Sequence, residues 1–194
     1  MYTFGALLMR MNYINRWGLM RNTRTETLSE HVTMVCVISN ILAHLANEMY
    51  GADVDPGVVT SYAVYHDIPE ILNGDLPTPV KYSSRGMREE YKKVEKVALE
   101  KLINTLPEKL IETMSPVLRG DNLTEREYEI VKSADRISAL IKCIEENRSG
   151  NMEFESAYKT IEEKIKENML PETEFFMNHF IPAYKLTLDE LLFE

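Results

Sequence analysis

Tyr65-His66-Asp67-Ile68-Pro69-Glu70 sets two potential metal ligands side by side, with a further acid four residues beyond His66. An imidazole and a carboxylate are the N and O ligands that zinc, cobalt, manganese and iron accept. The residues leading into the stretch are helical. Asp55-Pro56 is a start signal, with a carboxylate to cap the first free N–H groups and a proline where no N–H is missed. Val58, Val59, Tyr62, Ala63 and His66 then follow at helical spacing. On a helix of roughly 3.6 residues per turn, His66 and Glu70 share a face and Asp67 sits roughly 100° around from His66. Glu70 then stands beside a metal without binding it, a position suited to handling the proton of an attacking water. Pro69 interrupts this, because it biases Ile68 away from helical angles, so a break or a fresh turn is expected there. A His-Asp pair alone is more often a surface hydrogen bond than a metal site, and the rest of the chain has to supply the other ligands.

Working outward, every segment reads as helix or loop. Upstream, residues 2–15 are too densely apolar for strand alternation and predict a first helix, and Arg16 to Arg24 form a loop. Thr27 with Glu30 has the capping-box spacing, and the helix it opens runs through His31, Val35, Ile38, Leu42 and Leu45 to a stop at Gly51. Downstream, Asn73 to Pro79 predicts a rigid loop that excludes helix, since it holds two prolines and a glycine. An exposed amphipathic helix is expected over Ser83 to Leu106, with Tyr91, Val94, Val97, Ala98, Leu102 and Ile103 as its stripe, and a short helix over Pro107 to Leu118. Thr124 with Glu127 is a second capping box, opening a helix to about Arg148 that contains Asp135. Two more helices, Glu153 to Leu170 and Glu172 to Lys185, precede a turn capped by Thr187 with Glu190. The chain is expected to be all-α, one domain over residues 1–194, with the helices from about 152 onward packed on it.

Composition narrows the function classes. The 194 residues are 44% hydrophobic and 27% charged, ordinary for a globular protein and too apolar for a disordered one. The net charge of −9 argues against a partner such as a nucleic-acid polymer. No apolar run reads as a membrane span, and Met1 to Met11 has no basic region ahead of an apolar core, so the expected location is cytoplasmic. Cys36 and Cys143 lie inside helical patterns and read as small buried thiols. His44 and His179 have no acid beside them and read as structural.

The remaining candidates are weak one at a time. His31, near a helix start, is by itself an ordinary packed histidine. Asp135 sits roughly 140° from the main apolar stripe of its helix, which argues for solvent. Val131 and Ala139, four residues either side, make its own face less polar, as on a helix buried on two sides. Arg16, Arg21 and Arg24 beside Trp17 are most simply a solvated basic stretch. The sharper alternative is half of a nucleotide site, because guanidinium forks match phosphate oxygens and an indole packs on a base or sugar.

Order in the chain changes the balance. His31, then His66-Asp67, then Asp135 resemble the H…HD…D pattern of the HD-domain metal phosphohydrolases. Ile14-Asn15-Arg16-Trp17, Leu19-Met20-Arg21-Asn22, Arg24-Thr25-Glu26, Ser29-Glu30-His31 and Gly74-Asp75-Leu76-Pro77-Thr78-Pro79-Val80-Lys81-Tyr82 resemble the bacterial 5′-deoxynucleotidases of that family. The resemblance implies the HD-domain helical fold and a divalent metal (cobalt, manganese, zinc or iron) held by His31, His66, Asp67 and Asp135. It also implies Glu70 as the catalytic acid and Arg16 as the residue that orients the phosphate. Trp17 would lie against the deoxyribose, and Asp75, Leu76, Pro77 and Thr78 would line the nucleoside side, with Asp67 and Asp135 also touching substrate. The implied activity is hydrolysis of a deoxyribonucleoside monophosphate to deoxynucleoside and phosphate by a homodimer. The alternatives are another HD-family phosphohydrolase, acting on a triphosphate or cyclic ester, and a non-catalytic helical regulator. Ile68-Pro69 and Gly18 depart from the family pattern, which bears on the placement of Glu70 and on the stiffness of the Arg16-Trp17 loop.

Overall fold

The computed structural model describes residues 1–81 and 84–193, without the side chains of Thr78 and Pro79. Among the described residues the regular structure is helical, with one isolated antiparallel bridge between Asn15 and Thr27. The α-helices in chain order are α1 (Phe4–Leu8), α2 (Leu28–Tyr50), α3 (Pro56–Tyr65), α4 (Glu70–Asn73), α5 (Thr78–Lys81), α6 (Arg85–Ile103), α7 (Glu108–Arg119), α8 (Glu125–Arg148), α9 (Glu155–Glu167), α10 (Pro171–His179) and α11 (Leu188–Phe193). Short 3-10 turns occupy Met9–Tyr13, Met152–Phe154 and Ile181–Lys185.

The two long helices start where the sequence places them. Thr27 Oγ1 accepts from the Glu30 N–H while the Glu30 carboxylate accepts from the Thr27 N–H, and Thr124 with Glu127 repeats the device on α8. Gly51 ends α2 at φ 65°, a left-handed angle that only glycine adopts without strain. Asp55 caps α3 by accepting from the Gly57 and Val58 N–H groups.

The main core joins α2, α3 and α8, closed by α9 and α10, around Val35, Ile38, Leu42, Val59, Ala63, Ile130, Val131, Ala134, Ile137 and Leu140. Each large aliphatic side chain buried there stabilises the fold by about 1.5–3 kcal/mol. A second cluster gathers Phe4, Ile68, Ile71, Leu102, Ile103, Leu106 and Leu118. Ala63 belongs to the first cluster and Ile68 to the second, so His66 and Asp67 stand at the junction of the two cores.

Several elements differ from expectation. The first helix is divided: it becomes 3-10 at Met9, and Ile14 is extended so that its carbonyl and the Arg16 N–H can pair with Leu28 and Glu26 across the bridge. The apolar density there is not burial, since Met9 and Tyr13 are exposed. The proline loop contains the one-turn helix α5, whose Val80 and Lys81 N–H groups reach the Pro77 carbonyl. Pro79 falls in the first turn, where a backbone N–H would have no helical partner, so its lack of one costs nothing. Val94 and Val97 are largely exposed, and the buried face of α6 is Tyr91, Ala98, Leu102 and Ile103. The expected C-terminal helices are shorter than their patterns, the second giving way to a 3-10 turn at Ile181. The capped turn after Thr187 extends into α11. By length and composition Leu28–Tyr50 is also apolar enough to cross a membrane, contrary to expectation; here Val35, Ile38, Leu42, Ala43 and Ala46 are fully buried in the core.

Candidate metal centre

His31 enters from the first turn of α2, His66 and Asp67 from the end of α3, and Asp135 from the middle of α8. One ligand atom from each lies within 4.8 Å of all the others. His31 Nε2 is 3.2 Å from Asp135 Oδ1 and 3.6 Å from Asp67 Oδ2, and His66 Nε2 is 3.1 Å from the same Asp67 oxygen. Periodicity pointed Asp135 towards solvent, but α8 is buried on several faces, with Val131, Ala134 and Ser138 around it, and the residue is half-buried.

The ring nitrogens have defined roles. His66 Nδ1 lies 2.8 Å from the Ala63 carbonyl, which can only accept, so Nδ1 carries the hydrogen and the neutral ring presents its Nε2 lone pair. His31 Nδ1 is 3.0 Å from Ser138 Oγ, a hydroxyl that can donate or accept; with Ser138 accepting, His31 Nε2 presents its lone pair as well. Both Nε2 atoms are buried without a hydrogen-bond partner among the described residues. Two such lone pairs beside two carboxylates make an N2O2 donor set of the kind a divalent ion takes. The charges are held accordingly. Burial works to raise the carboxyl pKa of Asp67 and of Asp135, but with a proton at the histidine edges in place of a metal ion the histidine charge and hydrogen bonds, joined by Lys132 in the case of Asp135, outweigh it and keep both well below the usual carboxylate range.

Glu70 opens α4 and is buried, with Oε2 unpartnered among the described residues. Burial, then the charges of Asp67 and Asp75, push it up to about 9, while Arg16 and Lys81 pull the other way. The Ile68-Pro69 pair leads directly into it. Ile68 is fully buried in the second core, Pro69 takes φ −56°, and the Glu70 N–H donates to the Asp67 carbonyl at 3.0 Å, which continues the chain as a fresh helical turn.

Arg16 and Trp17 approach from the facing loop. Arg16 Nη1 lies 3.7 Å from Asp67 Oδ2, and its Nε donates to Glu26 Oε2 at 3.3 Å. The guanidinium charge is retained: burial opposes it, but Asp67, Glu26, Asp135 and Glu70 together raise its pKa. The Trp17 indole donates to the same Glu26 oxygen at 2.8 Å and rests 5.2 Å from the Phe154 ring centroid. Among the described non-glycine residues Trp17 alone has positive φ, at 61°. Its backbone is tied on both sides, the N–H to Asp75 Oδ2 at 3.3 Å and the carbonyl to Asn22 Nδ2 at 3.3 Å. The strain thus sits at Trp17 and not at Gly18, where an added Cβ would meet nothing within 4 Å.

Asp75 therefore joins the two loops beside the site, with Leu76 and Pro77 following it half-buried. The Thr78 side chain, expected on the nucleoside side, and Tyr82 lie outside the described residues. Sequence reasoning missed three residues beside the site and one that holds its facing loop. Ser138 and Lys132 stand three residues after and before Asp135 on α8, a spacing that signals a shared face. Glu26 stands in the Arg24-Thr25-Glu26 stretch that carries the family resemblance, with no role implied for it, and Glu146 carries no local signal. The Glu146 carboxylate accepts from the Thr23 N–H and hydroxyl, the Arg24 N–H, Lys142 and Asn151, and so moors the loop to α8.

The family model described as 5′-deoxynucleotidase YfbR-like matches residues 3–184. The chain belongs to this family. It is 43% identical to the 5′-deoxynucleotidase of Erwinia tasmaniensis, over 97% of this chain and 95% of that protein. It is 41% identical to 5′-deoxynucleotidase PBPRA2627 of Photobacterium profundum, over 97% of each. Among solved structures it resembles an HD-domain phosphohydrolase from Listeria innocua, with TM-score 0.83 and 22% identity over 94% of this chain and 88% of that one. It also resembles the cyanophage S-2L HD phosphohydrolase bound to dA and one catalytic Zn2+, with TM-score 0.65 and 17% identity over 94% and 96%. The fold of this YfbR-like member is the HD-domain fold.

Proposed function

We propose that this 5′-deoxynucleotidase hydrolyses deoxyribonucleoside 5′-monophosphates to deoxynucleoside and phosphate with a divalent metal held by His31, His66, Asp67 and Asp135. The observation that carries the reading is the convergence of those four donors within 4.8 Å, with the Arg16 guanidinium at their edge. Family membership supports the substrate class. When bound, the ion supplies Lewis-acid polarisation of the phosphate and activation of water. Arg16 pairs the phosphate oxygens as negative charge shifts towards the leaving 5′-oxygen. Water gives up one proton and the 5′-oxygen gains one, and Glu70, whose buried Oε2 has no partner among the described residues, carries it. Trp17 forms the wall against the deoxyribose and excludes a 2′-hydroxyl, while Asp75, Leu76 and Pro77 line the nucleoside side. Zinc, manganese, cobalt and iron all suit the donor set. The same reading has the enzyme acting as a homodimer in the cytoplasm.

The test is phosphate release from dAMP and AMP with manganese or cobalt, wild type beside Asp67→Ala. Release from dAMP alone, abolished by the substitution, is expected. Equal release from both nucleotides would remove the sugar preference, and no release from either would sink the reading. Trp17→Ala is expected to admit AMP.

A further inference from the structure

Glu26 touches neither the metal ligands nor the space between them, yet both residues assigned to the substrate depend on it. It is buried, and a backbone hydrogen bond of 2.9 Å from the Arg16 N–H to its carbonyl fixes it in register opposite Arg16. One of its oxygens, Oε2, accepts from Arg16 Nε at 3.3 Å and from Trp17 Nε1 at 2.8 Å. A guanidinium is a rigid plane, so holding Nε sets the direction of the outer nitrogens, and Nη1 is the one directed to Asp67. The Trp17 ring swings on two side-chain torsions, and the indole hydrogen bond removes that freedom. Trp17 also sits at a left-handed backbone angle, a strained state that surrounding contacts must maintain.

We propose that Glu26 is a positioning residue whose single carboxylate oxygen couples phosphate alignment by Arg16 to sugar discrimination by Trp17. The inference rests on the deoxynucleotidase reading and deepens it: selection of deoxyribose over ribose depends on a buried acid that the nucleotide never meets. An acid that only supported the fold would lower turnover of every nucleotide in proportion to the folded fraction. A coupling acid changes the ratio between dAMP and AMP.

The experiment measures kcat and KM for dAMP and AMP, with manganese added, in wild type, Glu26→Gln, Glu26→Ala, Trp17→Phe and the Glu26→Ala/Trp17→Phe double variant. Helical content is matched by circular dichroism. Trp17→Phe keeps a ring but loses the N–H donor. Glu26→Gln keeps an acceptor oxygen but loses the charge, and it is expected to hold the sugar preference while kcat falls about tenfold. Glu26→Ala is expected to lower kcat/KM for dAMP about 100-fold and the dAMP-to-AMP preference about tenfold. The double variant is expected to be no less selective than the worse single one, because both remove the same hydrogen bond. A selective wild type whose preference survives in Glu26→Ala, or additive losses in the double variant, would overturn the coupling alone. A wild type indifferent to the sugar would overturn the deoxynucleotidase reading, and the coupling with it. If Glu26→Ala does not fold, the decision falls to the other two single variants: unchanged preference in Trp17→Phe, or a loss of preference in Glu26→Gln equal to its loss of rate, counts against the proposal.

Discussion

At the scale of single residues, hydrogen bonds to the far side of the proposed metal donors fix how they face the site. Ser138 is the clearest case. Its hydroxyl meets His31 Nδ1 at 3.0 Å, and both groups are buried. Removing a partner that orients a metal-binding histidine commonly costs about 10–100-fold in metal affinity. Ser138→Ala is therefore expected to raise the manganese concentration needed for half-maximal activity by about that factor, with kcat at saturating metal nearly unchanged. An unaltered metal titration would show that packing alone fixes the His31 ring. Gly18 offers a contrary test. Because it does not need the left-handed region and has open space where a Cβ would go, Gly18→Ala is expected to stabilise the chain by about 0.4–1 kcal/mol, through the lower entropy of the unfolded state. A fall in Tm for that variant would mean that the loop needs glycine for a conformation it visits outside this one.

At the scale of elements, the loop carrying Arg16 and Trp17 is held by α8 as much as by its own sequence. Glu146 is 1% exposed and pairs with Lys142 and Asn151 while capturing the Thr23 and Arg24 N–H groups. Burial works to raise its pKa, but those partners outweigh it and hold the carboxyl well below the ordinary value. A depressed acid pKa contributes stability above the unfolded-state value, about 4.3, and loses it as pH falls towards the folded-state value. Glu146→Gln is expected to destabilise the protein by about 3 kcal/mol at neutral pH, lowering Tm by on the order of 10 °C. That gap should narrow below about pH 4.3. A gap that stays constant from pH 7 to pH 3.5 would mean the charge is not what holds the loop. The mooring also marks where the sequence stops being readable. The caps of α2, α3 and α8 are local hydrogen bonds within three residues, so Thr27, Asp55 and Thr124 announced their helices. His66 and Asp67 are adjacent, and His31 lies four residues beyond its cap. Glu26 meets Arg16 and Trp17 only because the chain forms a bridge at Asn15 and Thr27, while Glu146 meets Thr23 across more than a hundred residues. No local pattern encodes either meeting. The same limit explains Asp135, whose helix wheel described one buried face when tertiary packing buries several.

At the scale of the whole molecule, the four proposed metal donors come from three helices that meet in one core, and the His66-Asp67 pair stands where that core joins the second cluster. This arrangement makes a bound ion a cross-link as well as a reagent. Asp67 and Asp135 are two like charges whose ligand atoms approach within 4.8 Å in a partly buried space, a cost that two neutral histidines cannot cancel but a divalent cation can. An ion that binds the assembled ligands and not the unfolded chain stabilises the native state by RT ln(1 + [L]/Kd), about 2.7 kcal/mol at a hundredfold excess over Kd. Chelation is thus expected to lower Tm by roughly 5–10 °C in this chain, with recovery that rises logarithmically with added manganese or zinc. Asp135→Asn removes one of the two carboxylates, relieving the repulsion and weakening the ion together. Its Tm should be at or above that of the chelated wild type, because the repulsion is relieved, and nearly independent of added metal. A wild type whose Tm ignores both chelator and metal would mean that the four donors do not bind an ion when folded, and the three helices would then be held by their apolar faces alone.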